Sequence, residues 1–194
     1  IVSDEVALDA DGISVAASVG NNAALVIGGA LADGGSVTNA SGRQVTILSA
    51  GDDSSKSFNV VGTDVNGDSL TENVTGANAS TATSSGYFKT IASITAVGNP
   101  AGNVSAGINA NAADVIFAGR TRLKGFSFVS GGTAGKANIR NGSVTGTEVV
   151  QFRSIGTNDS SEDPFIPDEG ILFKDGCFVT FVVPQFDLMM FYHA

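Results

Sequence analysis

Three short stretches, Gln44-Val-Thr-Ile-Leu48, Ser57-Phe-Asn-Val-Val61 and Leu70-Thr-Glu-Asn-Val-Thr75, alternate apolar and polar side chains between Gly or Asp/Asn boundaries. A period of two residues sends every second side chain to one face of an extended strand and cannot line one side of a helix. Long stretches rich in Gly, Ser, Thr, Val and Asn offer no competing helical period. An all-β chain is expected.

The strands can be placed along the chain. Between the second and third stretches, Asp64-Val-Asn-Gly-Asp68 supplies a turn, and Asn66-Gly67 suits a two-residue hairpin loop with positive φ at both positions. Ala24-Leu-Val-Ile27 and Ile91 to Val97 read as further strands, Ser80 to Gly86 as a small-residue connection, and six to eight strands then form a β-sandwich. Further on, Leu123 is out of phase with Lys124, Phe126 and Phe128, which predicts a bend or bulge near Gly125. A turn at Ser130 to Gly135 leads to strands at Ala137 to Arg140 and Val149 to Ile155. A polar loop, Gly156 to Pro164, precedes Phe165 to Phe173, and strands at Cys177 to Val183 and Leu188 to Tyr192 follow.

A chain of 194 residues holds one large all-β domain or two of about 100 residues, and composition favours two. Residues 1–112 carry ten acids against three bases, net −7, whereas 113–194 carry nine against seven, net −2. Ten of the twelve phenylalanines fall in the second part. The weakly patterned Gly98 to Asp114, with Pro100 and many small polar residues, marks the boundary. The expected architecture is two antiparallel β-sandwich or barrel-like domains in tandem, residues 1–112 and 113–194.

Charge and composition exclude several function classes. A net charge of −9 is repelled by phosphate backbones and anionic lipid, so neither nucleic acid nor membrane is an expected partner. No apolar run approaches the length of a membrane span. One histidine and one cysteine cannot form a Cys/His zinc cage or a disulfide framework. No secretory signal is visible from Ile1 onward, and targeting stays open.

The remaining motifs read as ordinary structure. Asp64, Asn66, Asp68 and Glu72 resemble the opening of a calcium loop, but Gly67 stands fourth rather than sixth and Glu72 ninth rather than twelfth, so a polar hairpin tip is expected. Asp52-Asp53 reads as a solvated turn. Gly131 to Lys136 lacks the Walker spacing and has Ala137 where a hydroxyl belongs. His193 has no Gly-x-Ser-x-Gly elbow to serve, and Cys177 sits in an apolar strand as a buried thiol. The triplets at Asn73 and Asn103 follow from abundant Asn, Ser and Thr and do not establish glycosylation. Arg120, Arg122, Lys124, Lys136 and Arg140 form a basic strip, read as residues alternating outward from a solvated strand, though one able to meet an acidic partner. No catalytic, cofactor-binding or metal-binding set emerges, and no cofactor is expected.

Gly42 through Gly76 and Gly86-Tyr-Phe-Lys-Thr-Ile-Ala-Ser-Ile-Thr-Ala-Val-Gly98 resemble virion structural proteins of tailed bacteriophages. Arg122-Leu-Lys-Gly-Phe-Ser-Phe-Val-Ser-Gly-Gly-Thr-Ala-Gly135 and Phe165-Ile-Pro-Asp-Glu-Gly-Ile-Leu-Phe173 are similar to modules of small structural proteins of marine and cyanobacterial podophages. The likeness covers about three quarters of the chain. It implies a non-enzymatic protein on the capsid exterior of a virion, decorating or cementing the shell by docking on the major capsid protein, as a homo-oligomer (trimer or dimer). A head-to-tail adaptor or tail component is the alternative within that class, and a carbohydrate-binding virion adhesin or virion-attached hydrolase lies outside it. No Trp, and only Tyr87 and Tyr192, leave little aromatic surface for stacking sugars. The Phe-rich second part is expected to supply much of the contact with the virion or with sister subunits.

Overall fold

A computed structural model describes residues 2–3, 8–130, 134–154, 161–162, 166–167, 169–182 and 186–193. Of residues 2–3, 128, 130, 154, 161–162 and 186–187 only the backbone is described. The fold is all-β, with no helix among the described residues. Its strands pair antiparallel in two sheets, one of eleven strands and one of five. The larger sheet is open, so the barrel-like alternative falls. The chain divides into two compact units, Leu8–Ala110 and Asn111–Ala194 together with Ile1–Ala7.

Leu8–Ala110 holds β2 (Asp9–Ala17), β3 (Ala32–Asp33), β4 (Ser36–Ser49), β5 (Ser57–Thr63), β6 (Ser69–Thr75), β7 (Thr81–Thr83), β8 (Phe88–Val97) and the opening of β9 (Val104–Phe117). Hairpin β5–β6 runs in unbroken register from Ser57↔Thr75 to Thr63↔Ser69, and β8 lies on the other side of β5. β4 is shared among several partners: it lies between β9 and β8, Val37 and Thr38 pairing with β8, while Ser36 and Val37 also pair with β3 and Thr46 to Leu48 with β7. The alternation of β5 delivers Phe58 and Val60 inward, where they meet Val45 and Ile47 of β4, Val74 of β6, Ile91 and Ile94 of β8, and Val104 and Ile108 of β9. Removing a fully buried Phe side chain from such a cluster costs about 3–5 kcal/mol.

Three local expectations change. Ala24-Leu-Val-Ile27 is not a strand; Ala24 makes one isolated bridge to Thr95, while Leu25 is buried in the core and Ile27 packs half-buried against it. Ser80 to Gly86 is no plain connection, because Thr81–Thr83 pairs with β4. Gly98 to Asp114 contains most of the longer strand β9, and the division between units falls inside it, at Ala110. Val104 to Ile108 are buried on both faces, so the alternation that marks a half-exposed strand is missing there.

The hairpin at Asp64 to Asp68 is present, but its turn is of another kind. Positive φ occurs at Gly67 (87°), and Asn66 is not among the positive-φ residues. The Gly67 amide donates to the Asp64 carbonyl at 3.1 Å and the Asp64 amide to the Asp68 carbonyl at 2.8 Å, which is a type I turn closed by a glycine bulge. The Asp64 carboxylate accepts from the backbone amides of Asn66 and Asp68, at 2.8 and 3.0 Å, and holds this form.

The other unit holds the remainder of β9 with β10 (Thr121–Ser130), β11 (Gly135–Asn141), β12 (Thr147–Ser154), β13 (Ser161–Glu162), β14 (Ile171–Phe173), β15 (Cys177–Val182), β16 (Phe186–His193) and β1 (Val2–Ser3). One layer runs β12, β11, β15, β9; the other runs β1, β16, β10, β13, with β14 also on β10. Leu123, Phe126, Phe173 and Leu188 of the second layer share one core with Ala112, Ala137, Ile139, Val179 and Phe181 of the first, which defines a sandwich. The predicted bulge is present: against β16, Leu123 pairs with Tyr192 and Gly125 with Phe191, leaving Lys124 as the extra residue. That extra residue lets Leu123 and Phe126, three apart, both turn inward while Lys124 is exposed. β13 stands where a polar loop was expected. The turn expected at Ser130 to Gly135 and the rest of Gly156 to Pro164 lie wholly or largely outside the described residues.

Candidate functional site

The most distinctive surface is carried by β16. Its register sets Phe191 opposite Gly125 and Met189 opposite Ser127, while Met190 pairs with Phe126 on the inner face. Gly125 and Ser127 are too small to cover their neighbours, so Phe191 stays 55% and Met189 41% exposed, whereas Leu188 is buried. Tyr192 is 47% exposed and leans on Phe117, with ring centroids 5.6 Å apart. Met189 and Phe191, two residues apart on one strand, share its outer face, whereas Tyr192 lies opposite the inward-turned Leu123 on the other face. By contrast, Leu8, Val15, Val26, Leu48 and Val97 of the other unit are exposed on separate elements.

The expectation that phenylalanines make this surface is narrowed. Phe126, Phe173, Phe178 and Phe181 are buried, Phe117 and Phe152 half-buried, and Phe191 is exposed. Phe128, Phe165 and Phe186 lie outside the described side chains. Among the described side chains, phenylalanine therefore chiefly packs inward, with Phe126 and Phe152 in ring contact at 3.8 Å, and Phe191 of β16 turns outward.

The candidate ligand groups are engaged in folding. Glu72 is directed away from the hairpin tip and accepts from Ser85 N at 2.7 Å, Ser85 Oγ at 2.9 Å and Gly86 N at 2.8 Å, tying β6 to the loop before β8. The four oxygen-bearing residues at 64–72 are thus not gathered around one centre. Asp52 is exposed, and the Ser54 hydroxyl and amide hold its carboxyl below the usual range. Asp53, expected in the same solvated turn, is instead fully buried; one carboxylate oxygen accepts from the Ala101 amide at 2.7 Å, and the other has no hydrogen-bond partner among the described residues. Its backbone bonds to Ala77 and Lys56 make this aspartate the junction of three loops. Burial of its side chain left no periodic signal, since it lies in a turn beside an exposed acid.

Cys177 is buried at the head of β15, where burial pushes its thiol up to about 12. Gly131 to Thr133 of the rejected phosphate-loop motif lie outside the described residues. Asn73 is exposed and bonded to Asn59 at 2.9 Å. Arg43, which sequence reading counted only as a charge, is 2% exposed and donates to the Ala110 carbonyl at 3.1 Å. The basic strip is split. Arg140 donates to Thr180 Oγ1 and the Gly146 carbonyl and pairs with Glu148 at 3.5 Å, whereas Arg120 and Arg122 stand together at the start of β10 near His193.

These features define an all-β protein of antiparallel sheets in which Asp52, Asp53, Asp64 and Glu72 brace turns and loops and the apolar side chains Met189 and Phe191 are exposed on one face of β16. Comparison with protein-family models, with curated proteins and with solved structures finds no match.

Proposed function

We propose that this chain is a non-enzymatic virion structural protein that decorates or cements a bacteriophage capsid by docking on the major capsid protein. The observation that carries the reading is the exposed pair Met189 and Phe191, on a strand whose opposite face is anchored in the sandwich core through Leu188 and Met190. An apolar patch on a rigid sheet gains from being covered, and a lattice of identical subunits supplies many copies of one complementary surface. The resemblance of Gly42 to Gly76 and of Arg122 to Gly135 to phage virion proteins supports this class of partner.

The test is addition of the purified chain to phage shells that lack it, with image averaging of the product. Hundreds of copies in a regular lattice support decoration; about six or twelve at one vertex reassign the protein to the head-to-tail connection or the tail. The variant Phe191→Ser is expected to keep its melting temperature and lose most shell binding. Undiminished binding by that variant would remove the role given to β16.

A further inference from the structure

A second surface feature lies at the start of β10. A cavity of about 250 Å³ is lined by Arg120, Thr121, Arg122, Leu172 and His193. Strand pairing explains the grouping. Arg122 is registered against His193 of β16 on one side and against Leu172 of β14 on the other, so the three side chains form a row across adjacent strands. Thr121 turns inward, 2% exposed, and donates its hydroxyl to the His193 carbonyl at 2.9 Å. That fixes the end of β16 and leaves Arg122 on the outer face of β10, while Arg120, just before the strand, lines the same cavity.

The charges are unevenly committed. Arg122 donates one guanidinium nitrogen to the Glu169 carbonyl at 2.9 Å and meets the Glu169 carboxylate at 3.6 Å, but that carboxylate belongs to a side chain 88% exposed. Arg120 is exposed and makes no hydrogen bond or ion pair among the described residues. Arg120, Arg122 and His193 thus line one recess in a protein of net charge −9, with the exposed Glu169 carboxylate 3.6 Å from Arg122. Guanidinium groups bind planar oxyanions through paired N–H donors, and a partly enclosed site strengthens such bonds by excluding water.

We infer that this recess is an oxyanion-binding site, built to hold one carboxylate or phosphate-type group between Arg120, Arg122 and His193. Its volume suits a single anionic group and its first attachment rather than an extended ligand. The inference is independent of the docking role given to β16. The anion can come free from solution or on an acidic polypeptide.

The chain has one histidine, so its imidazole resonances report on the site unambiguously. Titration at constant pH with inorganic phosphate, with acetate, and with tetraglutamate against tetraglutamine is expected to shift those resonances saturably for the anions and not for tetraglutamine. Tighter binding of tetraglutamate than of acetate at equal carboxylate concentration identifies an acidic polypeptide as the source, and saturation by phosphate alone identifies a free anion. Arg120→Gln and Arg122→Gln should each weaken binding about tenfold, the loss of one charge-assisted hydrogen bond. Arg153→Gln, outside the cavity, should not. Arg120 precedes β10, so its variant remains informative if the Arg122 variant fails to fold. Absence of saturation by every anion, or equal loss in the Arg153 variant, overturns the inference.

Discussion

Asp53 shows how much one residue can carry in a fold of this kind. A buried carboxylate with one oxygen satisfied by the Ala101 amide and the other without a described partner is an expensive group to keep, yet it ties together three loops. Truncation to alanine should destabilise the protein by about 1–3 kcal/mol, measured by denaturant unfolding, because the Ala101 amide loses its acceptor. Gly62 is constrained by packing: a Cβ there would collide with the Thr90 carbonyl of the neighbouring strand. Gly62→Ala is accordingly expected to cost about 1–3 kcal/mol in the same measurement, with the pairing of β5 and β8 disturbed. Cys177 should resist thiol reagents at neutral pH until the protein unfolds. Its thiol is raised from 9.0 to about 12, so the unfolded chain loses this proton first. The stability linked to it is complete below pH 9 and declines as pH rises towards 12. Neither burial of Asp53 nor the close approach at Gly62 was legible in the sequence, because both arise from the meeting of separate loops or strands. The buried thiol was legible, since Cys177 stands in an unbroken apolar run.

At the scale of elements, the legible strands are those with a clear apolar alternation or an unbroken apolar run; β2 and β7, with mostly small or polar residues, offer neither. Strands β5, β6 and β8 are legible in the sequence, and so is the second half of β4, Gln44 to Leu48; β9 is not, because its opening is buried on both faces and rich in small residues. The bulge in β10 was legible because the phase of Leu123 conflicts with that of Phe126, and a single extra residue resolves the conflict. The β5–β6 turn was placed correctly and typed incorrectly, since Asn-Gly serves both a two-residue loop and a type I turn with a glycine bulge. This difference is testable. Gly67→Ala should cost about 1 kcal/mol, since only Gly67 of the pair occupies the left-handed region, whereas Asn66→Ala should fall within about 0.5 kcal/mol of the parent. Equal losses in thermal unfolding of the two variants would restore the two-residue loop. The exposed patch on β16 was half legible: the apolar run was plain, but which residues face outward depends on Gly125 and Ser127 across the register.

For the whole molecule, a net charge of −9 should prevent retention of duplex DNA in a gel-shift assay even at low salt, the condition that most favours nonspecific binding. A shifted band would show that the Arg120 and Arg122 cluster overrides the global field. The all-β class is readable from the alternation of strand stretches and the absence of a helical period. The pairing of β1 with β16 is not, because Val2 and Ser3 offer no pattern of their own and meet Leu188 and Asp187 from the opposite end of the chain. That pairing has a consequence for how the molecule is made. As the chain leaves the ribosome, every strand segment of Leu8–Ala110 is available well before β16 has been synthesised, so this unit can form first. The five-stranded sheet must wait for β16, and its β1–β16 ladder joins Val2 and Ser3 to Leu188 and Asp187, contacts far apart along the chain. During that interval Leu123 and Phe126 have no β16 beside them, and the nascent second unit depends on prompt completion to keep its apolar face from pairing with another chain.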